Sequence, residues 1–250
     1  MKKLMIWITL LAFIIALAAC ISAVPGTPGS SANENIQGGN EEAQLSYVLP
    51  VPKTDSDISV EHALANRRSH RSFQDRALSK EQLSQILWAA YGVTLPVPDS
   101  PSARGGLRTA PSAGALYPLE IYAVIGNVEG VEPGVYRYIS EEHKIVMTVD
   151  GDVRGGLREA ALGQRMVSDA PATVFFSAVF ERTTARYGER GSKYVYIEVG
   201  HSAQNVYLQA EALGLGTCAI GAFTDSSVRQ VLSLPANEEP LYLMPIGYYD

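Results

Sequence analysis

At 250 residues the chain is long enough for one large domain or two small ones, and 46% hydrophobic against 18% charged residues suits a globular protein with a substantial core. Its 20 basic and 26 acidic side chains leave a formal charge of −6, a balance that argues against a nucleic-acid binder. No internal repeat is present.

The N-terminus reads as a targeting segment. Lys2 and Lys3 form a basic flank, and residues 4–19 are apolar apart from Thr9. The run ends in Leu17-Ala18-Ala19-Cys20, which resembles a bacterial-type lipobox. That motif implies a signal peptide over residues 1–19 and a diacylated Cys20 at the mature N-terminus. The protein would then be a membrane-anchored lipoprotein with its main domain outside the cytoplasmic membrane. An uncleaved anchor is the alternative, although the apolar run is short for a span. Residues 20–46 are rich in Gly, Ser, Pro, Asn and Glu and read as a flexible tether behind the lipidated cysteine. Cys218 is then the only thiol left, and its apolar neighbours favour a buried structural role over a nucleophile.

The folded domain is expected over residues 47–250. Residues 59–66 read as a short helix with Ser59 as N-cap. It runs into Arg67-Arg68-Ser69-His70-Arg71, a cationic stretch out of character in an acidic chain. Guanidinium groups with a serine hydroxyl suit a phosphate, and a solvated charge run is the plain alternative. Ser79-Lys80-Glu81-Gln82 is a capping box opening a second helix that Gly92 ends. Residues 94–110, dense in Pro and Gly, read as a long irregular loop. Pro111-Ser112-Ala113-Gly114-Ala115-Leu116-Tyr117-Pro118 follows, small residues between prolines that allow close approach of a ligand to the backbone.

A strand is expected at residues 121–125, a hairpin over 134–139 and 144–149, a helix over 153–162, and apolar strands at 172–180 and 241–248. Between them, apolar residues at Val195, Val199, Ala203, Val206, Ala210 and Leu213 describe a helix of about six turns from Tyr194, read as central and covered on most sides. It stops at Gly214-Leu215-Gly216 and passes into the β-like run Thr217-Cys218-Ala219-Ile220. Helices and strands that interleave irregularly around a sheet indicate the α+β class.

Taken in order, Arg67-Arg68-Ser69-x-Arg71, the segment from Pro111 to Pro118, Glu198-x-Gly200-His201-x-x-Gln204-Asn205, Gly214-Leu215-Gly216 and Ile220-Gly221 resemble the nitroreductase-like flavoproteins, and within them the SagB/ThcOx-type dehydrogenases. The resemblance implies an α+β fold with a mixed sheet flanked by helices, a long central helix, and a homodimer holding FMN at the subunit interface. Arg67, Ser69 and Arg71 would hold the FMN phosphate and ribityl chain, Arg68 contributing through its backbone. Pro111, Ser112, Ala113, Gly114 and Ala115, from the partner subunit, would line the ring. Ala219, Ile220, Gly221 and Ala222 would present a backbone N–H near the flavin N5. Members of this family often carry basic residues after the last strand. Here Tyr248-Tyr249-Asp250 stands there, which shifts the expected phosphate grip onto Arg67 and Arg71.

Lys193-Tyr194 matches a Lys-Tyr pair implicated in catalysis in the azoline-oxidising branch, where a lysine at a helix N-terminus suits a base. An exposed first-turn lysine is the alternative. Glu198 and His201 have the i, i+3 spacing of a di-metal ligand pair, but no second copy of the motif accompanies them, so a hydrogen-bonded structural pair is expected and no metal. The functional expectation is an FMN-dependent oxidoreductase acting on a small molecule or peptide. An NAD(P)H-dependent nitro or quinone reductase and a tethered, non-catalytic flavin relay remain as alternatives.

Overall fold

A computed structural model describes residues 44–97 and 104–249. The leader, Cys20 and the tether through residue 43 lie outside the described residues. The chain enters at the edge strand β1 (Ser46–Val48) and continues into α1 (Val60–Asn66), where the Ser59 hydroxyl accepts the His62 N–H at 3.1 Å. Helix α2 (Lys80–Tyr91) opens on a reciprocal capping box: Ser79 Oγ accepts from Gln82 N at 3.2 Å, and Gln82 Oε1 accepts from Ser79 N at 3.0 Å.

Where the sequence reads as an irregular loop, a small hairpin forms from β2 (Val93–Pro96) and β3 (Gly106–Arg108). Strands of three and four residues carry too little alternation to stand out among so many prolines and glycines. The pairing needs Gly106, because a Cβ there would stand 2.5 Å from the Leu95 carbonyl oxygen.

The remaining elements are β4 (Leu119–Ile125), β5 (Gly134–Ile139), β6 (Lys144–Asp150), α3 (Arg154–Ala160), α4 (Met166–Asp169), β7 (Ala172–Ala178), α5 (Glu181–Tyr187), α6 (Arg190–Ala212), β8 (Gly216–Thr217), α7 (Asp225–Val231) and β9 (Glu239–Gly247). Seven strands form one antiparallel sheet in the order β1-β6-β5-β4-β7-β9-β8. Strands β4 and β7 are buried at every position, because helices cover both faces, so both read as nearly unbroken apolar runs. Alternate residues feed two cores. Leu119, Ile121 and Ile125 pack with Leu83, Ile86, Val195 and Val206 of α2 and α6; Tyr122 and Val124 pack with Leu157, Val167 and Val228 of α3, α4 and α7.

Helix α6, at 23 residues, is the longest described element. It begins four residues earlier than its apolar period suggests. Gly191 causes no break, because it packs on α5: a Cβ there would stand 2.8 Å from Thr184 Cα. The glycine stop is a full Schellman motif, with Leu215 N on Ala210 O at 2.8 Å, Gly214 N on Glu211 O at 3.1 Å, and Gly214 at φ +67°. Within one chain the helix is less covered than expected. Val195, Val199, Ala203, Val206 and Ala210 face the core, whereas Ile197, Gly200, His201 and Gln204 are exposed and Tyr196 is 59% exposed. Among the described residues no helix is long and apolar enough to cross a membrane.

Removing the α2 cap tests this reading of its start. Ser79→Ala is expected to lower stability by about 1 kcal/mol, seen as a lower urea midpoint at unchanged slope. An unchanged midpoint would mean that tertiary packing alone sets where α2 begins.

Candidate active site

The cationic segment leaves α1 and lies along the sheet edge. Arg67 has extended ψ at the helix C-cap, with its N–H on Ala63 O at 2.9 Å. Ser69 then bridges Thr217 of β8 in parallel fashion, and His70 N donates to Thr217 O at 3.0 Å. This approach requires Gly216, where a Cβ would lie 2.7 Å from His70 Cβ. Arg68 folds its guanidinium back onto Ala65 O and Arg67 O, at 3.0 and 2.9 Å, and so complements the C-terminus of α1. Arg67 lies over the Tyr207 ring at 5.0 Å. Neither Arg67 nor Arg71 makes an ion pair among the described residues, and Arg71 is exposed. Its charge reaches Cys218, whose thiol is pushed up by burial and drawn back by Arg71. Cys218 is 1% exposed, the environment of a structural cysteine.

Tyr207, absent from the sequence-derived candidates, joins two of the predicted segments. Its hydroxyl lies 3.1 Å from Ser69 Oγ and accepts the Ala219 N–H at 2.8 Å. Of the four residues expected to offer a backbone donor, two are already engaged: Ala219 by Tyr207, and Ile220 by a reciprocal bridge with Leu243 (2.8 and 3.0 Å). Gly221 and Ala222 keep N–H groups with no partner among the described residues. Beside Gly221 opens a cleft of about 300 Å³ walled by Tyr196, Val199, Phe223, Leu241 and Tyr242, with Asp225 as its one charged side chain. That size falls at the lower end for small-molecule sites. Burial, and secondarily Tyr207, push the Tyr242 hydroxyl up, so the two tyrosines are neighbours. An aromatic hydroxyl on a half-buried face of α6, two turns before the glycine stop, was the only sequence signal for Tyr207.

The segment Pro111-Ser112-Ala113-Gly114-Ala115 forms a tight turn on the other side of α6. Gly114, Ala115 and Tyr117 all have positive φ (+64°, +54° and +46°), and Ser112 Oγ accepts the Tyr117 N–H at 2.9 Å. At Gly114 a Cβ would stand 2.7 Å from the Tyr187 hydroxyl, which places the turn against α5. Glu198 of α6, 2% exposed, accepts from the Tyr91 hydroxyl. Burial pushes its carboxyl up to about 7, against the opposing pull of the Ser112 and Tyr91 hydroxyls and Arg108. The expected Glu198–His201 pair does not form: Glu198 turns inward to Tyr91, and His201, although on a neighbouring face, is exposed.

Lys193 is exposed and makes no ion pair among the described residues. Tyr194 accepts from Arg190 Nε at 3.0 Å and packs edge-on against Tyr187 at 5.2 Å, which puts it on the side of the 111–115 turn. Glu198 and Tyr207 are nine residues apart, which sets them about 180° apart around the helix and about 13 Å apart along it. One chain therefore brings Arg67 and Ser69 to the 219–222 turn, and does not bring residues 111–115 to either.

A seven-stranded antiparallel sheet crossed by one long helix, with a cationic loop on its edge strand, defines an α+β fold. The family profile described as Nitroreductase family matches residues 64–248. A protein of Methanocaldococcus jannaschii named as a candidate nitroreductase is 49% identical over 191 residues, 76% of this chain and 91% of that protein. The Microcin B17-processing protein McbC of Escherichia coli is 27% identical over 186 residues, 71% of this chain and 66% of McbC. The crystal structure of a candidate nitroreductase of Ralstonia eutropha JMP134 superposes with a TM-score of 0.68 at 28% identity, over 82% of this chain and 90% of that one. The chain belongs to the nitroreductase family and is a nitroreductase-family oxidoreductase.

Glu198 yields a pH prediction. Its folded value lies above its ordinary 4.5, so the stability tied to its neutral form is complete below about pH 4.5 and is lost as pH rises through about 7. Across that window the unaltered chain should lose about 3 kcal/mol more than Glu198→Gln. Parallel stability profiles for the two proteins would show that Glu198 titrates as an ordinary carboxylate.

Proposed function

We propose that the chain is an FMN-dependent oxidoreductase working as a homodimer, each flavin being held by both copies. The observation that carries this reading is Tyr207. Its ring lies under Arg67, its hydroxyl joins Ser69 to Ala219, and the next turn carries free N–H groups beside an apolar cleft. FMN combines a phosphate with a flat, polar-edged ring, and this residue set fits both ends. Arg67 and Arg71 would bind the phosphate through charge-assisted hydrogen bonds, with Ser69 adding a hydroxyl. Arg68 would contribute through its backbone, since its guanidinium is engaged on α1. Gly221 and Ala222 would offer fixed donors to the ring's polar edge, while Tyr196, Phe223 and Tyr242 exclude water. Bound FMN supplies a two-electron centre that accepts and returns hydride.

A second copy is favoured by two features. Residues 111–115 lie on the opposite side of α6 from Tyr207, so they can serve the same ligand only from another chain. Tyr196 and Ile197 also leave an apolar stripe exposed on the longest helix. In the SagB-type dehydrogenase reading, a small molecule or peptide is oxidised and the Lys193 Nζ takes the proton it releases. The likeness to McbC, a processing protein, favours a peptide substrate. The 49% identity with the M. jannaschii protein favours the second reading, a nitro or quinone reductase fed by NAD(P)H. Rapid anaerobic bleaching of the bound flavin by NADPH would select the reductase; resistance to it would select the dehydrogenase.

The phosphate assignment has a direct test. Charge-assisted hydrogen bonds are worth roughly 1.5–3 kcal/mol each, so the double Arg67→Ala, Arg71→Ala variant should bind FMN about two to four decades more weakly. Riboflavin, which lacks the phosphate, should lose far less. Equal losses for both flavins in a folded variant would assign the arginines to general structure.

For location, the proposal is a signal peptide over 1–19, a lipidated Cys20 and tether to residue 46, and an extracytoplasmic domain over 47–250. Cys20→Ser should abolish acylation and leave an unprocessed precursor in the mass spectrum. Normal maturation of that variant would mean another kind of leader.

A further inference from the structure

The residues just beyond β9 meet the cationic segment along its length. Tyr249 stacks on His70, ring centroids 3.7 Å apart and planes 27° apart. Its carbonyl accepts from Gln74 Nε2 at 3.0 Å. Tyr248 O accepts the Gln74 N–H at 2.8 Å, the Tyr248 ring lies under Arg76 at 3.7 Å, and its hydroxyl accepts from Gln82 Nε2 at 2.9 Å. On the other side, among the described residues, the segment is held by the Thr217 bridge to β8 and, at Ser69, by Tyr207 of α6. The stretch from residue 67 to 76 contains no helix, and its side chains are mostly exposed. Such a loop holds one conformation through its neighbours alone, and ordering it on ligand binding would cost affinity.

We propose that Tyr248 and Tyr249 are positioning residues for the phosphate grip, clamping the segment between β8 and the end of β9 so that Arg67, Ser69 and Arg71 are set before the phosphate arrives. This rests on the FMN reading above. The clamp acts at a distance from the ligand: the tyrosines touch His70, Gln74 and Arg76, none of which is assigned to the phosphate. Tyr249 also lies against Gly216, where an added Cβ would come 2.9 Å from Tyr249 Cδ1, so one ring presses on both the edge strand and His70. The aromatic stack, and not the hydroxyl, is the element that holds His70.

The experiment uses the full chain with Tyr249→Ala and Tyr249→Phe, titrated with FMN and with riboflavin. Tyr249→Ala should weaken FMN about tenfold and riboflavin less than twofold, while Tyr249→Phe, which keeps the stack, should stay within twofold for both. In the flavin-free protein, hydrogen exchange at the His70 and Gln74 amides should speed up in Tyr249→Ala and stay unchanged in Tyr249→Phe. Equal losses of FMN and riboflavin, or no change for either, would overturn the clamp while leaving the flavin reading intact. Failure of the unaltered chain to bind FMN would overturn both.

Discussion

One hydroxyl holds the candidate site together. Tyr207 OH accepts the Ala219 N–H and meets Ser69 Oγ, and thereby links a loop following the first helix to a turn some 150 residues later in the chain. It adds to the Thr217 bridge and the Tyr248 and Tyr249 contacts on one side and to the Ile220–Leu243 bridge on the other. Residues 219–222 follow a strand only two residues long, and the cationic segment meets β8 through one isolated bridge. The phenol is attached to the last third of a 23-residue helix whose core face is packed on the sheet, so its position inherits the rigidity of the whole fold. A site on loops thus gains the precision of a helix.

The same helix explains why one chain looks incomplete. A rod packed on a sheet has sides that cannot see each other. Tyr207 serves the arginines on one side, and Glu198 faces Tyr91 and the 111–115 turn on the other. Evidently the turn is costly to build: three positive-φ positions within four residues, two of them not glycine, persist only where the surroundings over-determine them. The buried Glu198 beneath it, with a proton held to near neutrality, is a second such cost. Strain and a buried carboxyl concentrated at one surface turn are hard to reconcile with a purely structural loop, and they agree with a surface offered to a second copy.

The parts of the fold that depend on local chemistry were legible. The Ser79 capping box, the glycine stop of α6 and the apolar strands β4 and β7 each follow from a few adjacent residues, and each formed where expected. Parts that depend on contacts distant in sequence were not. The β2–β3 hairpin is stabilised by a glycine fitting under a carbonyl, a property of the pair and of neither strand. The start of α6 was obscured for the same reason, since Gly191 is tolerated only because Thr184 lies against it. Glu198 and His201 had helical spacing for a pair. Yet the competing partner, Tyr91, comes from another helix that no periodicity connects to them.

The arginine segment shows where reading charge alone falls short. Four arginines within ten residues signalled an anion site, but the structure divides their labour. None of the four pairs with a carboxylate among the described residues, but Arg68 caps a helix and Arg76 covers the ring of Tyr248, which leaves Arg67 and Arg71 for an anion. In a chain with more acidic than basic side chains, two guanidinium groups a few residues apart without an ion pair among the described residues are open to an external anion. Arg67 lies instead over the ring of Tyr207, which holds a cation in place without neutralising it. A cation kept positioned and uncompensated retains its full attraction for an incoming anion, which is the property a phosphate grip requires.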